Sequence, residues 1–187
     1  MRSSLSVVLV LLCLTIRAQD STKHANIMYS NSFSSGALFD SEKNITGSLS
    51  VINGIKWRQW RMGAGVGFDG YEDWRVFPIF ASFAFDFNNK GGNSLFLQFN
   101  CGHSFAQFVP VDYWGGFESH EDKGGLMINP MIGYRIVQGK MNFFISIGHK
   151  FQKASYFVRS TNEWYPWEYE TTRDFNRFFV QLGFGFQ

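Results

Sequence analysis

Chemistry in this 187-residue chain would have to come from a small set of side chains. Its four histidines, His24, His103, His120 and His149, are the candidate general bases. A hydrolytic site needs a nucleophile and a base within hydrogen-bond reach. His103 is followed by Ser104, and His149 lies three positions after Ser146. On an extended strand successive side chains alternate sides, so in both pairs the serine and the histidine point apart. His120 stands among Glu118, Glu121 and Asp122. Such oxygen-rich clusters suit calcium or magnesium, but the spacing is not that of a calcium loop, and a solvated acidic segment is the simpler reading. No catalytic residue, metal site or cofactor is therefore expected, and the chain does not read as an enzyme.

Two other groups remain. Arg61, Asp86, Arg135, Lys150 and Arg177 each fall on the polar side of an alternating segment. Trp164, Tyr165, Trp167 and Tyr169 interleave with Glu163, Glu168 and Glu170, and Tyr113, Trp114 and Phe117 form a second aromatic group. Aromatic faces stack on sugars and anchor binding surfaces. They also form girdles at membrane surfaces. Both readings stand at this point.

The elements that would carry these groups are strands. From Phe175 to Gln187 the chain puts Phe178, Val180, Leu182, Phe184 and Phe186 on one side, and Arg177, Phe179, Gln181, Gly183 and Gly185 on the other. Seven more segments can be read: a weak one near 26–33, then 44–52, 60–68, 76–87, 94–105, 126–137 and 141–152. Short connections (53–58, 88–93, 138–140) alternate with longer, more polar ones (34–43, 69–75, 106–125, 153–174). Thirteen of the 15 acidic residues lie in or at the edges of the longer set; Asp20 and Asp86 are the exceptions. The short set carries Lys56, Arg58, Lys90 and Lys140. Membrane barrels show this asymmetry, with short periplasmic turns and long outer loops.

The first residues read as an export signal. Arg2 precedes an apolar run from Leu5 to Ile16, and Ala18 offers a small residue at the cut. The run is shorter than the roughly 20 residues of a membrane helix. Without residues 1–18 the chain loses Arg2 and Arg17 of its 17 basic residues, which leaves it formally neutral against 15 acidic ones. Nothing in that balance suggests nucleic acid. Cys101 is then the single cysteine, so no internal disulfide can form.

These features predict an all-β chain: a signal peptide over 1–18, then one domain over 19–187, an eight-stranded antiparallel up-and-down transmembrane β-barrel. A soluble barrel with the apolar sides turned inward is the alternative. Eight strands enclose only enough room for side chains, and rows of phenylalanine would overfill it. Turned outward they meet lipid, which leaves Gly, Ser, Asn, Gln and the five charges inside. Those charges make either a polar conduit or an ion-paired plug. Buried charges need partners, so the plug is favoured.

MGAGVGFDGY (62–71) after Asn53-Gly54, FPIFASFAF (77–85), GGLMINPMIGYRI (124–136) and IGHKFQ (147–152) resemble the outer-membrane, porin-like β-barrel proteins of Bacteroidetes-type Gram-negative bacteria. The likeness runs from Asn44 onward. It departs at Gln187, where an aromatic residue is usual, and at His149, where an aromatic is expected. It implies the outer membrane as location. The implied partners are outer-membrane lipid and lipopolysaccharide, the barrel-insertion machinery, and an unidentified surface ligand at the aromatic loops. The expected role is envelope integrity or surface interaction, with a narrow channel, a lipid-modifying enzyme and a soluble ligand-binding barrel as alternatives.

Overall fold

A computed structural model describes residues 27–40, 44–71, 74–87, 93–108, 118–160 and 168–187. The expected signal segment and the aromatic loop residues Tyr113, Trp114, Trp164, Tyr165 and Trp167 lie outside them. Among the described residues no helix is long and apolar enough to cross a membrane. The strands are β1 (Ile27–Phe39), β2 (Ile45–Trp57), β3 (Trp60–Gly70), β4 (Trp74–Asp86), β5 (Ser94–Phe108), β6 (Glu118–Lys123), β7 (Gly125–Gln138), β8 (Met141–Ser160) and β9 (Glu168–Phe186).

β1 to β5 pair antiparallel in succession, β5 pairs with β7, β7 with β8 and β8 with β9, and β9 returns to β1 with Phe33 opposite Phe184. Strand β6 does not add a ninth stave. It pairs with β8 in the same antiparallel sense as β7 does, Lys123 opposite Ser155 and then Met127 opposite Gln152. Three residues of one strand there face two of the other, a bulge at Gly124–Leu126. The barrel is thus closed by eight strands, as expected, and β6 lengthens one of them.

Apolar residues point outward over most of the wall. Phe77, Ile79 and Phe83 on β4, Leu95, Leu97 and Phe99 on β5, and Phe143, Ile145 and Ile147 on β8 are all exposed. An exposed apolar surface this extensive is incompatible with water. The inside-out soluble reading therefore fails on orientation. At the end with the short turns, Trp57 and Trp60 are exposed and Trp60 packs edge-on against Phe85 at 4.8 Å between ring centroids.

Several expected boundaries move. β2 continues through Asn53-Gly54 to Trp57, and the chain reverses at Arg58–Gln59 instead. Tyr29 donates to Asn53 Oδ1 at 2.8 Å, and a Cβ on Gly54 would sit 2.6 Å from Gly63 Cα, so this pair belongs to a tight strand crossing and not to a turn. β1 runs to Phe39, beyond the expected 33. The segments expected to be loops at 106–125 and 153–174 contain β6 and the outer ends of β8 and β9. Those extensions rise past the apolar belt, so they lack its alternation. Their register sets opposite charges across from each other at Lys153 and Asp174, a pair that favours a strand in water.

Candidate functional site

The inward side chains arise by simple parity, and they gather in two groups. At the turn end, Arg61 of β3, Asp86 of β4 and Arg135 of β7 meet. Arg61 Nε donates to Asp86 Oδ2 at 2.9 Å, and Arg135 pairs with the other carboxylate oxygen. Asp86 is 1% exposed. The Arg135 guanidinium also lies 4.3 Å from the centroid of the Phe96 ring, a cation–π contact in a dry setting. Gln187 Oε1 accepts from Lys56 Nζ at 3.1 Å and from Arg61 Nη2 at 2.8 Å. A phenylalanine at this position could not accept those bonds, which gives the departure at Gln187 a physical role.

At the loop end the groups differ. Lys150 Nζ donates to Asp69 Oδ2 at 2.5 Å, and Ser48 Oγ donates to Asp69 Oδ1 at 2.6 Å. Arg177 pairs with Asp40. The five charges expected as one network are therefore divided: Arg61, Asp86 and Arg135 come together, whereas Lys150 and Arg177 sit at the opposite end with two acids assigned from sequence to the outer loops. Asp69 is fully buried. The hydrophilic position of an aspartate at a strand end says nothing about which way it turns; the facing cation decides.

Above these pairs lies an aromatic lid. The Tyr71 and Phe175 rings stack at 4.0 Å, and Trp74 meets Phe175 edge-on at 6.2 Å. Tyr71 Oη donates to Gln152 Oε1, and Gln152 Nε2 donates to Ser104 Oγ, both at 2.7 Å, a chain from the residue after β3 through β8 to β5. Burial, with the Asp69 carboxylate nearby, pushes the Tyr71 phenol well above its usual value.

The mid-bore corrects a further expectation. It is not only small and polar: Phe80, Phe96, Phe144 and Phe179 all point inward and are buried. Each lies opposite a glycine in register, namely Gly65, Gly133, Gly183 and Gly148. A Cβ on Gly148 would stand 2.7 Å from Phe179 Cε1. The inward glycines are seats for rings, a relation visible in sequence only once the register is known.

The histidines do not meet their serines. His103 is exposed on the outer wall beside Phe105, while Ser104 is buried inside. His149 lies outward against Phe151 at 4.5 Å, and Ser146 is buried. Among the described residues no cluster of three or more metal-binding side chains occurs. Tyr169, the last of the expected surface aromatics, lies in β9 opposite Val158.

The outer wall carries a feature the sequence reading missed. Pro130 has no N–H, and the β7–β8 register omits Asn129–Pro130 against His149–Lys150. An apolar trough of about 780 Å³ crosses the wall here. One bank follows the register row Trp60, Phe85, Leu97, Ile132 and Ile147. The other follows Phe83, Phe99 and Pro130 to His149 and Phe178. At its loop end the trough meets a polar notch of about 510 Å³ that shares His149 and Phe178 and adds Arg173, Asp174 and Asn176. Pro130 inside a strand segment was the unused sequence signal; the missing rung shows only in the register.

No protein-family model and no curated protein matches the chain. Solved structures do. Neisserial surface protein A is similar with a TM-score of 0.56 at 12% identity, over 87% of this chain and 97% of that one. The outer membrane protein OprG from Pseudomonas aeruginosa gives 0.56 at 10% identity, over 87% and 95%. The outer membrane protein AlkL, solved in lipid bilayers, gives 0.54 at 12% identity, over 89% and 92%. The fold is that of the small eight-stranded outer-membrane barrels.

Proposed function

We propose that this protein is an exported integral protein of the bacterial outer membrane, with a bore sealed by its own side chains, and that it supports the envelope and surface contacts and does not conduct or catalyse. The observation that carries this is the pairing of inward charges at both ends of the bore, Arg61–Asp86–Arg135 below and Lys150–Asp69 above, beneath the Tyr71–Phe175 stack. A bore filled by side chains is what eight strands allow. The outward apolar wall and the fold likeness support the location. The likeness of segments 62–71 and 124–136 supports a Bacteroidetes-type source, which stays part of the proposal.

In this reading residues 1–18 are removed on export, the barrel-insertion machinery assembles the rest, and the loops that carry Trp164 and Trp167 face the outside. Two measurements test it. Unboiled protein from the outer-membrane fraction runs as a shifted, protease-resistant band that collapses on boiling; a single band in the soluble periplasmic fraction refutes the location. Planar-bilayer recordings show no steady conductance; a stable, large conductance refutes the sealed bore.

A further inference from the structure

We infer that the outer wall from β3 round to β9 holds one specific lipid with a phosphorylated headgroup, seated from the leaflet at the loop end. The inference rests on the outer-membrane reading and names a ligand site within it.

Three features coincide. Strands in a closed barrel tilt by about 35–45° to the axis. A trough that follows a register row across the strands is therefore oblique too, and runs from the loop end at Phe178 down to the turn end at Trp60. Its lining is almost wholly apolar. Such a slot accepts an acyl chain along its length. The Pro130 ring is short between Phe99 and His149, which deepens the slot midway.

The polar end is built by a step in the sheet. β1 ends at Phe39, opposite Phe178, while β9 continues outward to Glu168 paired only with β8. Arg173, Asp174 and Asn176 stand on that step. The Arg173 guanidinium lies over the Phe175 ring at 5.6 Å and is solvent-exposed. Within the notch Arg177 is paired with Asp40, and Asp174 faces Lys153 across the β8–β9 register. Arg173 shares the bore side of β9 with Phe175 and Arg177, faces Ala154 in register, and at the open edge of the step is the notch cation left for an incoming anion. His149 sits where trough and notch join. A phosphate-bearing headgroup offers acceptors for Arg173 and for a ring N–H of His149, with its chain already in the slot. This gives His149 a reason to stand where an aromatic residue would suit plain lipid.

The test uses the full mature barrel, purified in detergent with its fold checked by the unboiled gel shift. Native mass spectrometry counts lipids retained after titration with bis-phosphorylated lipid A, with diacylglycerol, and with inorganic phosphate. One lipid A molecule per barrel is expected, with diacylglycerol held about tenfold more weakly, the scale of one charge-assisted hydrogen bond. Phosphate alone is not retained. Arg173→Glu and His149→Phe each lower lipid A retention about tenfold while the gel shift persists. Equal retention of lipid A and diacylglycerol, or by wild type and both variants, would mean annular lipid only and overturns the site. A folded barrel that retains no lipid A overturns the site alone. Absence of the folded band from the membrane overturns the outer-membrane reading with it.

Discussion

At the scale of single residues, the bore is governed by how few acids serve how many bases. Asp86 accepts from two arginines. Asp86→Asn leaves both cations buried without their counter-ion, and breaking one side of a buried pair typically costs about 3–5 kcal/mol. The temperature at which the unboiled band converts to the boiled form should fall accordingly, and far more than for an exposed change such as Arg75→Ala. Tyr71 makes a pH prediction. Its folded-state phenol ionises at higher pH than the usual value of about 10. The folded barrel thus holds that proton more tightly than the unfolded chain does. The resulting stability is complete below about pH 10 and is lost as pH rises through the folded value. Alkaline melting curves should show this loss in the wild type, and Tyr71→Phe should flatten it. Arg58 turns the β2–β3 connection at φ 56°. Left-handed backbone costs an L-residue with a Cβ roughly 1–2 kcal/mol, so Arg58→Gly should raise the melting temperature slightly.

At the scale of elements, the Phe–Gly pairs lock neighbouring strands in register. A slip by one residue would drive each inward ring against a backbone with side chains. Gly148→Ala places a methyl group against the Pro130 carbonyl oxygen and 2.7 Å from the Phe179 ring. Overpacking of this kind costs about 1–3 kcal/mol. Phe179→Ala in the same chain should recover part of that loss, a positive coupling that a double-mutant cycle measures; strict additivity would deny the contact. The rungs missing beside Pro130 make a second case. Pro130→Val restores an N–H toward β8, and one net hydrogen bond is worth roughly 0.5–1.5 kcal/mol. Slower hydrogen exchange at β7–β8 amides should report it. The sequence displayed the strands because lipid-facing sides must be apolar. It did not display β6 or the outer ends of β8 and β9, because a strand in water has no such constraint.

At the scale of the whole molecule, closure decides what each end is. The β9–β1 register brings Gln187 to Lys56 and Arg61, residues some 130 positions away in the chain. Closure also places Asp69 opposite Lys150 and Asp40 opposite Arg177. Replacing Trp164 and Trp167 together with alanine tests the surface role: loss of cell-surface binding with an unchanged gel shift would support it, and a change in barrel stability alone would assign those rings to the girdle. The amino-acid sequence by itself determined the strand class, the count of eight staves and the outward apolar wall. Alternation is local, and a fixed parity maps it onto two sides of a strand. It also marked Arg61, Asp86, Arg135, Lys150 and Arg177 as inward. Only the tertiary structure decided who pairs with whom, which glycine seats each of the four inward phenylalanines, and where the wall is grooved. Those outcomes depend on register and closure, which are set by contacts between residues far apart in the chain, and no local pattern encodes them.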